Sequence, residues 1–385
     1  MHWKPDFLKI DDYQRQVIKE SVEAIRASNG PHVIPWISGF AGNGKSVVLV
    51  FAMENVADLE PTASIAFITF THALKDLVKA SLLPKHQGRV QVSTHTSFLS
   101  DKEYFDYVFV DEIQDLTSTH LKRIAEFAGR TVFAGDFAQT IYPDTKPISE
   151  RELIRSFDTK EYKLTKMYRL TKKIAEIVGK LIQSTFAVGL ETGLQKEIPI
   201  RLFRFPSQEE EFDWVWEEAK NYSKAGEPSV ILFPHKRLIA DFMQHISDKY
   251  DLGKVPRVGT GQDPYESINS FLEDIPEDVM LQYFGKGSGN DALVESRRRR
   301  FILIMTYYSA KGLDFRAVFV PALNAKLWLA HEKAITADSE IEQKVLFVAL
   351  TRSREALFLT FSGHEPHKLI KKMDLQHSDF ESTDY

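Results

Sequence analysis

The chain has 385 residues, 43% hydrophobic and 27% charged, with a formal net charge of −5, enough for two or three soluble domains and with no global basic field to advertise nucleic acid. It contains no cysteine, which excludes disulfides, thiolate zinc sites and iron–sulfur clusters. No apolar run reaches the ~18 residues of a membrane span. The N-terminus lacks a signal-peptide pattern, so a cytoplasmic location is expected.

The first predicted element is a helix capped by Asp11 or Asp12 and running to about Ser28, where Asn29-Gly30-Pro31 stops it. Apolar Val33-Ile34 and Trp36-Ile37 then read as a strand. The string Gly39-Phe40-Ala41-Gly42-Asn43-Gly44-Lys45-Ser46 follows, and the apolar run Val47–Ala52 reads as a helix. Two glycines flanking four residues, then lysine and a hydroxyl residue, form a phosphate cradle between strand and helix. The glycines let successive N–H groups turn into one concavity. The helix starting near Lys45 adds the positive end of its dipole. In such a loop Gly39, Gly42 and Gly44 shape the backbone, Lys45 reaches the β- and γ-phosphates, and Ser46 holds Mg²⁺.

Further on, Ile65–Phe70, Val90–Val92, Tyr107–Val110 and Thr131–Ala134 alternate with helical patterns. The second half repeats this style with Pro199–Phe203, Ser229–Phe233, Phe301–Met305, Val318–Val320 and Leu357–Phe361. The alternation predicts an α/β fold with parallel sheets flanked by helices. The expected domains are residues 1–155, residues 156–373 and a polar, frayed tail over 374–385. Gly285 to Asp291 reads as a mobile loop.

The strand Tyr107-Val108-Phe109-Val110 ends in Asp111-Glu112. Strand ends of a doubly wound sheet face the ligand crevice, which sets these carboxylates beside the phosphate loop. There Asp111 binds Mg²⁺, and Glu112 orients and deprotonates the attacking water. A solvated acidic turn is the bland alternative, and the upstream phosphate loop weighs against it.

Asp111-Glu112-Ile113-Gln114-Asp115 resembles the second motif of superfamily 1 DNA helicases of the UvrD/Rep/PcrA type. Other segments resemble that family's motifs in the same order. Gln14-Arg15 is similar to the adenine-reading motif. Thr69-Phe70-Thr71-His72 is similar to a motif that touches single-stranded DNA. Ser93-Thr94-His95-Thr96-Ser97 is a weaker likeness to the next DNA-contact segment. Gly135 to Tyr142 resembles the third motif, in which Gln139 senses the γ-phosphate. Met167-Tyr168-Arg169 resembles a motif whose tyrosine stacks on adenine and whose arginine meets the γ-phosphate. Thr306 to Phe315, with Gly312 and Asp314, resembles the fifth, and Val348 to Arg352 the sixth, with Arg352 as the second γ-phosphate arginine.

The resemblance implies two RecA-like P-loop domains with ATP hydrolysed between them, ATP and Mg²⁺ as cofactors, and single-stranded DNA as track. It implies 3′ to 5′ movement. An RNA track fits the same stacking and phosphate contacts. An alternative reading is a nucleic-acid-sensing regulatory ATPase in a larger nuclease or defence complex. Phe70, His72 and Tyr142 are the base-stacking candidates, with Phe70 equally readable as core. Thr71, Thr94, His95 and Thr306 complete the nucleic-acid set.

The chain departs from the family at three places. Asp314 stands where the family has glutamate. Pro143-Asp144-Thr145 follows Tyr142 where the family has Gly-Trp-Arg. Only Phe98–Asp106 and roughly Tyr250–Arg300 occupy the positions of long accessory insertions. Minimal insertions lead to the expectation of a weak helicase that works with a nuclease or accessory subunit. Such a partner could dock on the loop ending in Arg297-Arg298-Arg299-Arg300, for which a solvated loop end is the bland reading.

Overall fold

The computed structural model describes residues 4–27, 33–141, 146–168, 170–182, 200–256, 264–285, 299–325, 339–373 and 380–382. The expected mobile loop lies mostly outside them. The chain divides into two compact units, His2–Tyr168 and Arg169–Tyr385.

The first unit runs α1 (Asp12–Arg26), β1 (Ile34–Gly39), α2 (Lys45–Leu59), β2 (Ile65–Thr69), α3 (His72–Ser81), β3 (Val90–Thr94), α4 (His95–Asp101), β4 (Phe105–Val110), α5 (Ser118–Glu126), β5 (Ala128–Gly135), α6 (Glu150–Ser156) and β6 (Thr159–Leu164). Its sheet has the order β3-β2-β4-β5-β1-β6, and every pairing is parallel. A parallel sheet needs crossovers, and the helices provide them while covering its faces. The strands read as unbroken apolar runs for that reason, and β2 is buried at all five positions. Residues 159–164 belong with the first sheet, because β6 pairs with β1 from Ile34↔Thr159 to Gly39↔Leu164.

Local chemistry sets the helix starts. Asp11 caps α1 in a reciprocal box with Gln14, while Thr71, Thr94 and Thr117 cap α3, α4 and α5. Gly44, at the start of α2, offers no side-chain cap and sits in the left-handed region at φ 83°. No side chain of the N-cap residue therefore competes with a ligand for the first N–H groups of α2.

The second unit contains α7 (Lys172–Ile182), β7 (Ile200–Phe205), α8 (Gln208–Tyr222), β8 (Ser229–Phe233), α9 (Lys236–Lys249), α10 (Pro264–Leu272), β9 (Val279–Tyr283), β10 (Arg300–Thr306), β11 (Phe315–Val320), α11 (Ser339–Leu350), β12 (Ser353–Ser362), α12 (Lys368–Lys372) and β13 (Phe380–Ser382). Its strands, all parallel, are ordered β13-β7-β12-β11-β8-β10-β9. The expected frayed tail instead contributes β13, which pairs with β7 at Phe380↔Leu202. Phe203, Phe212, Trp216, Phe233, Phe242 and Phe358 dominate the core.

Trp216 is fully buried and donates its indole N–H to the Tyr250 hydroxyl at 3.1 Å. Trp216→Ala leaves a large cavity and is expected to destabilise this unit by about 3–5 kcal/mol in a denaturant titration. A shift below ~1 kcal/mol would contradict the packing.

Candidate nucleotide and nucleic-acid site

In the first unit, the loop after β1 and the carboxylates after β4 flank the end of β5. Ile37 is level with Ala134, and Val110 with Phe133. Strand order thus gathers Lys45, Ser46, Asp111, Glu112 and Gln139 at one end of the sheet.

The loop is clasped from outside its own segment. A Cβ on Gly39 would lie 2.6 Å from the Leu164 carbonyl at the end of β6, so this position demands glycine. Asn43 Nδ2 donates to that same carbonyl at 2.6 Å, and the Tyr168 N–H donates to Gly42 O at 2.9 Å. Lys45 Nζ donates to the carbonyls of Gly39 and Phe40 at 2.9 and 3.0 Å. Its ammonium is thus positioned by the loop it serves.

Asp111 is buried, and its Oδ2 has no hydrogen-bond partner. Burial first, and the charge of Glu112 second, push its carboxyl up to about 7, against the pull of Ser46 and Lys45. An orphaned carboxylate oxygen beside a serine hydroxyl is a donor set that fits Mg²⁺. Glu112 sits in left-handed backbone at φ 56° and accepts a hydrogen bond from Gln114 Nε2. Gln139 is buried and donates to Asp136 Oδ2 at 2.6 Å.

Gln14 is also buried. Its Oε1 accepts from the Asp11 N–H at 3.3 Å and its Nε2 donates to Asn43 O at 3.1 Å. Both faces of its amide are therefore used inside the protein, by the helix cap and by the phosphate loop. Arg15 is turned outward, to Asp12 Oδ1 at 2.7 Å and Leu8 O at 2.9 Å. Tyr168 lies half-buried at the loop with Lys166 Nζ 5.7 Å from its ring centroid.

The nucleic-acid candidates cluster at the ends of β2 and β3. Phe70 is half-buried, packs against the core, and stacks on His95 at 5.0 Å with an interplanar angle of 11°. Both readings of Phe70 thus describe the same ring. His95 continues to His120 at 5.3 Å. Thr71 and Thr94 serve as helix caps, and His72 opens α3. Tyr142 and Arg169 lie outside the described residues.

In the second unit, Thr306 Oγ1 accepts from the Ser309 N–H at 3.2 Å, which shapes the turn after β10. Gly312 has φ 81°, and Asp314 faces Arg354 at 4.0 Å. Arg352 is 1% exposed. It donates to Val348 O at 2.8 Å, Leu313 O at 3.1 Å and Thr351 Oγ1 at 2.8 Å. It ties the turn before β11 to the end of α11. Arg297 and Arg298 are not among the described residues. Arg300 holds Asp278 and reaches Lys220 O at 2.6 Å and Ser223 O at 3.1 Å. These last carbonyls of α8 are where a helix favours a cation, so Arg300 has a local structural role.

Sequence reasoning assigned no role to Asn43 or Gln114, although both sit inside recognised motifs. Their spacing marked them, but only the fold supplies their partners.

The family of UvrD-like helicase C-terminal domains matches residues 258–364, and the family of viral superfamily 1 RNA helicase core domains matches residues 36–205. A probable DNA helicase II homolog from Mycoplasma capricolum is 25% identical over 31% of this chain and 19% of its own length. The ATP-dependent DNA helicase PcrA of Staphylococcus epidermidis is 34% identical over 17% of this chain and 10% of its own. The chain therefore spans less than a fifth of either relative. The solved PRRSV helicase covers 90% of this chain with 54% of its own, at 13% identity and a TM-score of 0.42. No described helix is long and apolar enough to cross a membrane.

Two outcomes follow from this geometry. The Asp111 carboxyl keeps its proton in the folded state at pH values where the unfolded chain has lost it. Its burial therefore costs stability that grows as pH rises from about 4 to about 7. Asp111→Asn should stabilise the protein at pH 8 by on the order of 2 kcal/mol, with the gain vanishing near pH 4. Melting curves at both pH values, without Mg²⁺, check this, and an equal gain at each would refute it. Phe70→Ala should lower the melting temperature and also weaken single-strand binding by roughly 1–3 kcal/mol. A melting change with unaltered binding would remove Phe70 from the nucleic-acid set.

Proposed function

We propose that the chain is a superfamily 1 helicase of the UvrD type, an ATP-hydrolysing motor that moves along single-stranded DNA from 3′ to 5′; the matches to a UvrD-like C-terminal domain and to a superfamily 1 helicase core support this reading. The observation that carries the reading is the meeting of an uncapped α2 N-terminus, the Lys45 ammonium and the paired carboxylates Asp111 and Glu112 around the end of β5.

Phosphoryl transfer is mostly positioning and charge stabilisation. In this reading the loop 39–46 and the α2 N–H groups hold the phosphates. Lys45 exchanges its carbonyl partners for phosphate oxygens. Ser46 and Asp111 would hold Mg²⁺, which neutralises charge on the phosphates. Glu112 accepts the proton of the attacking water, and Gln139 reports the γ-phosphate. Tyr168 stacks on adenine. For Gln14 to read the base, its amide must leave Asp11 or Asn43, so adenine recognition is coupled to the shape of the phosphate loop. Gly312 and Asp314 contribute to nucleotide binding, while Arg169 and Arg352 supply positive charge to the γ-phosphate. For Arg352 this requires that its bonds to Leu313 and Thr351 be exchanged during turnover. Phe70, Thr71, His72, Thr94, His95, Tyr142 and Thr306 contact the strand.

Glu112→Gln should bind ATP yet lose at least ~100-fold in turnover, since shape survives and the base does not. Lys45→Ala should lose binding as well. ATPase rates measured side by side with single-stranded DNA, duplex DNA and RNA test the track. Wild-type turnover by Glu112→Gln would overturn the assignment of the base. Stimulation by RNA alone would overturn the DNA track.

A further inference from the structure

We propose that Gln114 is a positioning residue that fixes the side chain of Glu112 and joins it to Gln139, so that the hydrolytic base and the phosphate-sensing glutamine act as one hydrogen-bonded unit. The inference rests on the role given to Glu112 above and extends it to the fully buried Gln114.

Gln114 is 0% exposed, so its amide must find partners inside the protein. It finds one in each of two separate motifs. Nε2 donates to Glu112 Oε2, and Oε1 accepts from the Asp136 N–H at 3.0 Å. The amide orientation is set by chemistry. The carboxylate can only accept and the backbone N–H can only donate, so the reversed amide would oppose both partners. Glutamate cannot replace it, because an ionised carboxylate has nothing to donate to Glu112. From Asp136 the chain continues, since its Oδ2 accepts from Gln139 Nε2 at 2.6 Å. One unbroken line of polar contacts therefore runs Glu112, Gln114, Asp136, Gln139.

Two backbone features exist for this line. Glu112 holds φ 56°, a left-handed conformation that costs an L-residue on the order of 1–2 kcal/mol and persists where the surroundings enforce it. Gly135, next to Asp136, passes so close to the amide that a Cβ there would lie 2.5 Å from Gln114 Oε1 and 2.7 Å from Ile113 Cγ1. A Cβ at position 135 would force the Gln114 amide or the Ile113 side chain to shift.

The test measures steady-state ATP hydrolysis with and without single-stranded DNA, together with binding of a fluorescent ATP analogue, for Gln114→Leu, Gln114→Glu and Gly135→Ala. Loss of such a supporting contact is expected to lower kcat roughly 10–100-fold. KM and analogue binding should change less than about threefold, and DNA should stimulate the residual rate much less. Gly135→Ala displaces the amide from the opposite side and should give the same split. Combining Gly135→Ala with Gln114→Leu should cost little more than either alone, because both break one contact. A fall in analogue binding that parallels turnover in all three variants would reduce Gln114 to packing and overturn the proposal. So would wild-type kcat and DNA stimulation in Gln114→Leu. Glu112→Gln, measured beside them, separates the two failures. If it is inactive while the Gln114 and Gly135 variants are normal, only the present proposal fails. If it is fully active, the assignment of the base fails first.

Discussion

The carbonyl of Leu164 is the point on which the first unit closes. It ends β6, takes the Asn43 amide at 2.6 Å, and leaves no room for a Cβ on Gly39. Asn43 in turn offers its own carbonyl to Gln14, whose other amide atom completes the cap of α1. The phosphate loop is therefore held by β6 and by α1, neither of which belongs to the strand–loop–helix segment that spells it. A glycine-rich loop in isolation is among the most flexible stretches a chain can contain. Here its conformation is held by hydrogen bonds from outside the loop, and a preorganised loop binds a ligand at lower cost than a flexible one.

Burial dominates the electrostatics of the same region. Asp111 is buried strongly enough that its ordinary acidity is lost, and Lys45 satisfies itself with backbone carbonyls. Desolvation outweighs the attraction of the nearby ammonium and hydroxyl. Arg352 in the second unit, like Lys45, is bonded inside the protein. A buried guanidinium is tolerated because three of its nitrogens are bonded to Val348, Leu313 and Thr351.

The sequence carried the central elements of both sheets. Buried parallel strands are continuous apolar runs, so β2, β8 and β10 announce themselves. Of the four edge strands among the described residues it carried only β3, at Val90–Val92. β6 reads Thr-Lys-Glu-Tyr-Lys-Leu, with only Tyr162 and Leu164 buried, and its charged positions resemble a linker. β9 alternates buried and half-buried residues, and β13 lies in a polar tail whose pairing with β7 no local pattern reveals. Which unit residues 159–164 belong to depends on the sheet that β6 joins, and no local pattern decides that.

Residue type and spacing by themselves gave a glycine-rich strand–loop–helix segment with the pattern of a phosphate loop, a carboxylate pair on a strand end, and an ordered set of helicase-like motifs. These are properties of short segments, where a glycine, a lysine or an acidic pair is needed at a fixed offset. Only the tertiary structure decided what those side chains do to one another: that Gln14 is spent on a cap and on Asn43, that Arg352 braces its own unit, and that Gln114 reaches from Glu112 to Asp136. Each is a hydrogen bond to a group brought close by strand order or by the packing of an element. A polar side chain in a sequence shows its capacity to bond, while the partner that satisfies it is chosen by burial.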